Sequence, residues 1–341
     1  MSDDYMWDPS ASADAETERL ERILKHARYR PATERLAFRL GGLRPRRAAP
    51  VWMRLAAALA VAGAVSGAWM LWSARTAAWD VQVSGGVARI ASRPVTGAAR
   101  LGVGEWLETD PDASARVRVG VIGQVEVAPG TRVGLVSAGL LEKRMSLSRG
   151  TIHAMIFAPP RRFFVNTPWA VAVDLGCAYS LSVENNGDGL LRVTAGWVGF
   201  QAGGRESFIP AGAACRTSAG TGPGTPFYLD SSDELQQALA ELDSVSTAPW
   251  PRLALERVLA EARQRDGVTL WHLLFRVPPA ERVLVYQRFS ELLPVPPEME
   301  KDAVLRLERR AMDRLWNALG LGPMQWWRRW KWPWAMLTPT G

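Results

Sequence analysis

Residues 115–135 read ARVRVGVIGQVEVAPGTRVGL, and their period decides the fold. Ala115, Val117, Val119 and Val121 alternate with Arg116 and Arg118, the two-residue repeat of a strand buried on one face. Pro129-Gly130 then supplies a turn, after which TRVGLV resumes as a further strand. The same period extends in both directions, from Val81 to about Thr217. It is carried by RMSL (144–147), GTIHAMIF (150–157), RFFVNTP (162–168), AVAVDLG (170–176), AYSLSVE (178–184), LLRVTAGWVGFQ (190–201) and ESFIPAG (206–212). Asn186-Gly187 and Asp188-Gly189 provide the positive φ angles that hairpins need. About ten closely spaced strands without helices between them imply an antiparallel sandwich, jelly roll or β-roll over residues 78–219.

Beyond it, GTGPGTP (220–226) marks 220–232 as a linker by composition, and the period returns to 3.6 over 233–320. Leu255, Val258, Leu259 and Ala262 form one stripe; Val304, Leu307, Ala311 and Leu315 form another. VTLWHLLFR (268–276) and ERVLVYQRFSELL (281–293) read as two more helices, separated by Val277-Pro278-Pro279. A small helical bundle packed on the β-domain is expected, with His272 a core histidine beside Trp271. In the tail, 321–341, Trp326, Trp327, Trp330 and Trp332 interleave with Arg328 and Arg329. Indole rings and cations together suit a membrane interface; burial of the tryptophans against the β-domain is the other reading.

On the N-terminal side the charge changes character. The chain has 341 residues, a net charge of +7 and 48% hydrophobic residues, so most of it is folded. Arg28, Arg30, Arg35, Arg39, Arg44, Arg46, Arg47 and Arg54 are opposed only by Glu34, and the uncharged run LAAALAVAGAVSGAWMLW follows over 55–72. A helix over 51–73, about 33 Å from Val51 to Trp72, with Trp52, Trp69 and Trp72 near its ends, predicts one membrane span of roughly 30 Å. The arginines before it predict a cytoplasmic tail, 1–50, and an exported remainder, which places the protein in the inner membrane. Within the tail, Asp14 to Tyr29 reads as one amphipathic helix. Leu20, Ile23 and Leu24 share its apolar face, either for a cytoplasmic partner or as a membrane-surface helix without one.

Enzyme chemistry has no support in these residues. His26, His153 and His272 lie in separate regions, and no nucleophile elbow, phosphate-binding loop or metal-ligand spacing occurs. No cofactor or metal is expected, and export disfavours nucleic acid as a partner. Cys177 and Cys215 both fall in the β-domain, either as a disulfide in an oxidising compartment or as two buried free thiols.

The order of the strand motifs resembles the FecR domain, named for the ferric-citrate regulator. The resemblance rests on Gly130 and Thr131; Leu147 and Gly150; Phe163, Val165, Thr167 and Pro168; Gly176; and Val193, Gly196 and Val198. It implies a single-pass inner-membrane protein whose N-terminal tail holds a sigma factor and whose periplasmic domain hears an outer-membrane transporter. The expected function is therefore non-enzymatic: relay of envelope signals to a cytoplasmic sigma factor or other regulator, in the manner of an anti-sigma factor. The alternative is a structural adaptor of the cell envelope that binds a protein or glycan. The expected partners are the lipid bilayer, that regulator, and a periplasmic protein or glycan.

Overall fold

The computed structural model describes residues 15–26, 59–67, 78–244, 250–295 and 299–322. The chain divides into two compact units, 1–61 and 62–341. In the first, helix α1 (Ala15–His26) opens with Glu16 and Glu18 in its first turn, where the helix dipole favours negative charge.

The membrane-spanning helix expected over 51–73 is corrected. Among the described residues, no helix is long and apolar enough to cross a membrane. Within that stretch the described residues are 59–67, all helical, about 13 Å by helical rise against the roughly 30 Å a span requires. Gly63 and Gly67 fall within it, and glycine is the weakest helix former after proline. Residues 51–58 and 68–73 lie outside the described residues, as do 323–341 with the tryptophan-rich tail.

Among the described residues of the second unit, eighteen strands follow one another before any long helix. They begin with β1 (Ala78–Ser84), β2 (Ala88–Ile90), β3 (Arg93–Val95), β4 (Ala98–Gly102), β5 (Trp106–Thr109) and β6 (Ser114–Arg118). Next come β7 (Gly123–Val127), β8 (Arg132–Ala138), β9 (Lys143–Ile156), β10 (Phe163–Asn166), β11 (Val171–Asp174) and β12 (Ala178–Val183). The series closes with β13 (Gly189–Ala195), β14 (Trp197–Ala202), β15 (Arg205–Pro210), β16 (Ala213–Ser218), β17 (Gly222–Pro223) and β18 (Phe227–Tyr228). One sheet runs β4-β1-β6-β7-β9-β12-β13-β16, with β17 and β18 on its far edge. The other runs β3-β2-β5-β8-β9-β10-β11-β14-β15. Every pairing is antiparallel except β9 with β10.

Strand β9 belongs to both sheets. Its first half pairs with β8 and β10, its second with β7 and β12. Gly150, at φ 89, stands where the strand passes between them. A Cβ there would lie 2.3 Å from Thr131 Oγ1 and 2.5 Å from Thr131 Cα, so only glycine lets the corner close. The space is used by hydroxyls. The Thr151 amide donates to Thr131 Oγ1 at 2.9 Å, and the Thr131 amide donates to Thr109 Oγ1 at 2.9 Å. Between the sheets lies one continuous core that includes Val117, Val125, Leu147, Ile152, Phe163, Leu181 and Phe200.

The alternation read from 115–121 holds as far as Val119. Ala115, Val117 and Val119 are buried, but Val121 is fully exposed. Strand β6 stops at Arg118, and a turn closed by the Val119 amide on the Gly123 carbonyl re-aims everything beyond it.

Helices α2 (Asp233–Ser244), α3 (Arg252–Glu261), α4 (Gly267–Leu274), α5 (Arg282–Leu292), α6 (Lys301–Leu305) and α7 (Arg309–Ala318) follow. The stripe read through Val304, Leu307, Ala311 and Leu315 is two helices rather than one. Leu307 takes φ 58 and Glu308 is extended, so the chain breaks between α6 and α7 while Val304, Ala311 and Leu315 all remain buried. The 220–232 stretch, read as a linker, carries β17 and β18 on β16.

Two polar devices hold the helices on the sheet. Arg276 pairs with Asp243 of α2 at 3.0 Å and donates to Thr225 Oγ1 at 2.9 Å and Ser207 Oγ at 2.7 Å. His272 Nε2 accepts the Phe208 amide of edge strand β15 at 3.0 Å, while its Nδ1 faces the Val268 carbonyl at 2.7 Å. Both ring nitrogens are thereby engaged, and an amide that would otherwise lie on an open sheet edge is covered. Burial, helped by the Arg276 charge, pushes the His272 pKa down to about 3, so the ring is neutral and structural. Trp271 and Trp316 pack edge-on around it, with ring centroids 4.9 and 6.4 Å away.

Candidate functional site

Three places have the chemistry of a site. The first is the apolar face of α1, where Leu20, Ile23 and Leu24 are 57%, 63% and 61% exposed. Positions 20, 23 and 24 fall on one side of a 3.6-residue helix, so the three side chains form one stripe.

The second is a cleft of about 390 Å³ on the outer face of the β9-to-β15 sheet. Phe164 forms its floor beside Val171 and Val173, while Arg144, Arg161 and Arg205 supply charge. The Arg144 guanidinium carbon sits 4.4 Å from the Phe164 ring centroid, and that of Arg161 lies 5.9 Å from it on the same ring. Arg144 is fixed by Asn166 at 2.7 Å and Glu142 at 2.8 Å. Arg161 adopts φ 64, a left-handed conformation that costs about 1 kcal/mol in a residue with a Cβ. Its amide donates to the Asp174 carbonyl at 2.8 Å, which holds it there. Half-burial pulls the Arg161 guanidinium below its ordinary pKa, and the nearby Glu206 opposes that shift.

Beneath this cleft lies a buried titratable group. Asp174, 1% exposed, accepts the Gly176 amide at 2.7 Å and the Cys177 thiol at 2.8 Å. Burial outweighs those bonds and raises its pKa to about 7. Its folded pKa therefore exceeds its unfolded value of about 3.9. The native state binds the extra proton between those values, so stability from this group falls as pH rises from about 4 to about 7, by about 1.4 kcal/mol per unit. Asp174→Asn is expected to flatten that slope. Urea midpoints of the two proteins should diverge in the variant's favour as pH climbs from about 4 to about 7 and keep a constant gap above it; curves parallel over 4 to 7 would show that Asp174 titrates normally.

Both cysteines are free and buried. Cys177 donates to Asp174, and Cys215 lies 3.1 Å from the Gly224 carbonyl oxygen. Burial raises both thiol pKa values, that of Cys215 to about 12, which keeps them protonated and unreactive.

The third place is the pole of the β-unit opposite Gly150, where Val121, Leu140, Leu141 and Phe157 are exposed.

The residues behind the FecR resemblance occupy corners and core, and Gly130 and Gly150 also line a shallow cleft with Asn185 and Asn186. Leu147, Phe163, Val165, Val193 and Val198 are buried. Gly196, at φ 72, packs so closely that a Cβ would lie 2.2 Å from the Gly176 carbonyl oxygen. The Thr167 hydroxyl closes its turn on the Ala170 carbonyl at 2.8 Å. Trp326, Trp327, Arg328, Arg329, Trp330 and Trp332 lie outside the described residues. Among the described residues no group of three or more His, Cys, Asp or Glu side chains is placed to hold a metal ion. The meeting of Arg144 with Phe164 and Arg161 has no sequence signal, because β9 and the segment from the β9–β10 loop into β10 are brought together only by the sheet register.

No family model matches the chain, and no curated protein sequence does. Two crystal structures, at 1.65 and 2.50 Å resolution, of a "putative anti-sigma factor" from Parabacteroides distasonis ATCC 8503 are similar in part. Each overlaps with 12% sequence identity and a TM-score of 0.32, covering 40% of this chain and 64% of that one. The chain thus spans less than two thirds of that protein, and an overlap this loose assigns neither fold nor activity.

Proposed function

We propose that this protein is a non-enzymatic regulator of anti-sigma type, which works by holding a sigma factor or comparable regulatory protein through α1. The observation that carries the reading is the exposed Leu20, Ile23 and Leu24 stripe. A helix of 12 residues is marginal by itself in water, so docking its apolar face would stabilise both the helix and the complex. Covering three aliphatic side chains that are now more than half exposed contributes roughly 3–5 kcal/mol before the costs of association. The resemblance of the β-domain to FecR domains supports the choice of partner, and its arginine-lined cleft offers a separate surface for a signal.

Leu20→Asp with Leu24→Asp is expected to weaken capture at least about a hundredfold, since each charge would have to be desolvated in the interface. The check is co-purification of a sigma factor with the tagged full-length chain. Loss in the double variant, with unchanged near-UV dichroism, supports the reading. Equal recovery in both proteins would remove α1 from the role. Absence of any sigma factor or regulator from the folded wild-type sample would end the proposal.

A further inference from the structure

Both ends of β9 return to one pole of the β-unit, and that pole is unusually apolar. Val121 is 100% exposed, Leu140 83%, Leu141 68% and Phe157 78%. Single exposed hydrophobic residues need no explanation, but these four stand on loops that touch one another. The Phe157 amide donates to the Ile122 carbonyl at 2.7 Å, joining the end of β9 to the β6–β7 turn. Gly120 of that turn approaches the Lys143 side chain, whose Nζ donates to the Gly139 carbonyl at 3.1 Å. Arg162 completes the ring, donating to the Leu141 carbonyl at 3.1 Å.

Charge at this pole is mostly positive. Residues 118–123, 139–144 and 155–163 hold five basic side chains and one acid, Glu142. That acid is paired with Arg144 at 2.8 Å, and Arg161 lies over Phe164 with Glu206 nearby, which leaves Arg118, Lys143 and Arg162 around the apolar tips. A groove for a peptide would need apolar side chains lining a concave wall. Here they stand on separate turn tips at the sheet ends, with long cationic side chains behind them.

We propose that this pole docks on an anionic phospholipid bilayer, with Val121, Leu140, Leu141 and Phe157 entering the headgroup–acyl boundary and Arg118, Lys143 and Arg162 facing lipid phosphates. Each part has a physical reason. Apolar tips gain by leaving water, basic side chains close to an anionic surface add attraction that salt screens, and their methylene stems can lie along the apolar layer. This is a peripheral contact of folded loops, separate from any capture of protein by α1.

The test places a bimane label on the full-length chain at Leu140→Cys, Phe157→Cys or Asn185→Cys. Cys177 and Cys215, 5% and 0% exposed, stay unlabelled in the folded protein. Asn185 lies at the opposite pole, beside Gly130 and Gly150. Vesicles of brominated phosphatidylcholine, with and without phosphatidylglycerol, serve as quencher. Quenching at 140 and 157 is expected to exceed that at 185 several-fold, only with phosphatidylglycerol, and to weaken at least about tenfold in Lys143→Glu with Arg162→Glu. Equal quenching at all three sites, or labels at 140 and 157 that stay dark to quencher while the protein pellets with vesicles, would overturn the proposal. So would a spectral shift that grows with protein concentration without lipid, which would assign the pole to a second copy of the chain. Insensitivity to the charge reversals would overturn the requirement for anionic lipid.

Discussion

Gly150→Ala is expected to destabilise the β-unit by about 4 kcal/mol, a large part of the roughly 5–15 kcal/mol that holds an ordinary domain together. Left-handed backbone accounts for about 1–2 kcal/mol of this, because Gly150 sits at φ 89. The larger share comes from space. The new methyl would lie 2.5 Å from Thr131 Cα, a backbone atom that cannot swing aside. Moving it breaks the bonds from Thr151 to Thr131 and from Thr131 to Thr109, and a buried hydroxyl left unpaired costs about 1–3 kcal/mol. Gly130→Ala is the comparison. Gly130 also has positive φ, 66°, but a Cβ there meets nothing within 4 Å, so only the backbone cost of about 1 kcal/mol is expected. Urea unfolding of the two variants separates strain from collision, and similar midpoints would show that the corner yields.

Asp243→Ala is expected to cost about 3–5 kcal/mol, since it leaves the Arg276 guanidinium buried without its partner. The Arg276 side chain is 5% exposed, so water cannot replace the lost carboxylate easily. Thr225 loses its acceptor for both amide and hydroxyl at the same time. The damage should be local first: α2 and α4 loosen from β15, and protease cuts between Tyr228 and Arg252 should appear well before the sheets unfold. Asp243→Leu combined with Arg276→Met is expected to recover much of the loss, because replacing a buried pair by apolar groups of similar volume is often close to neutral. If the double variant is as weak as Asp243→Ala, packing rather than charge burial governs this joint.

These two sites show what kind of information the amino-acid order carries. Alternation around Val117 and Val125 exposes the strands because burial on one face imposes it residue by residue. The Asn186-Gly187 turn is equally local, with Gly187 at φ 89. The stripe on α1 is visible for the same reason. Val121 misleads because a strand's end depends on its neighbours, and the alternation of valines continues one step past the turn. Residues 220–232 mislead because Gly and Pro fit short edge strands as well as linkers. The uncharged run before Trp72 suggests a membrane span on hydropathy, yet hydropathy says nothing of whether an Ala- and Gly-rich stretch sustains a long helix. The candidate surfaces depend on pairing across distance. Arg144 and Phe164 meet because β9 and β10 run parallel in register, and Leu140 nears Val121 because β9 doubles back. No spacing along the chain encodes either meeting.

That doubling back bears on how the molecule comes apart. A sandwich of two independent sheets can open like a book, each leaf keeping its own bonds. Here the spine is itself a strand: residues 143–156 belong to both leaves, with β8 and β10 on one half and β7 and β12 on the other. Neither leaf can be peeled off without tearing the spine, so the slowest amide exchange in the protein should cluster along β9, and the two sheets should be lost in one step.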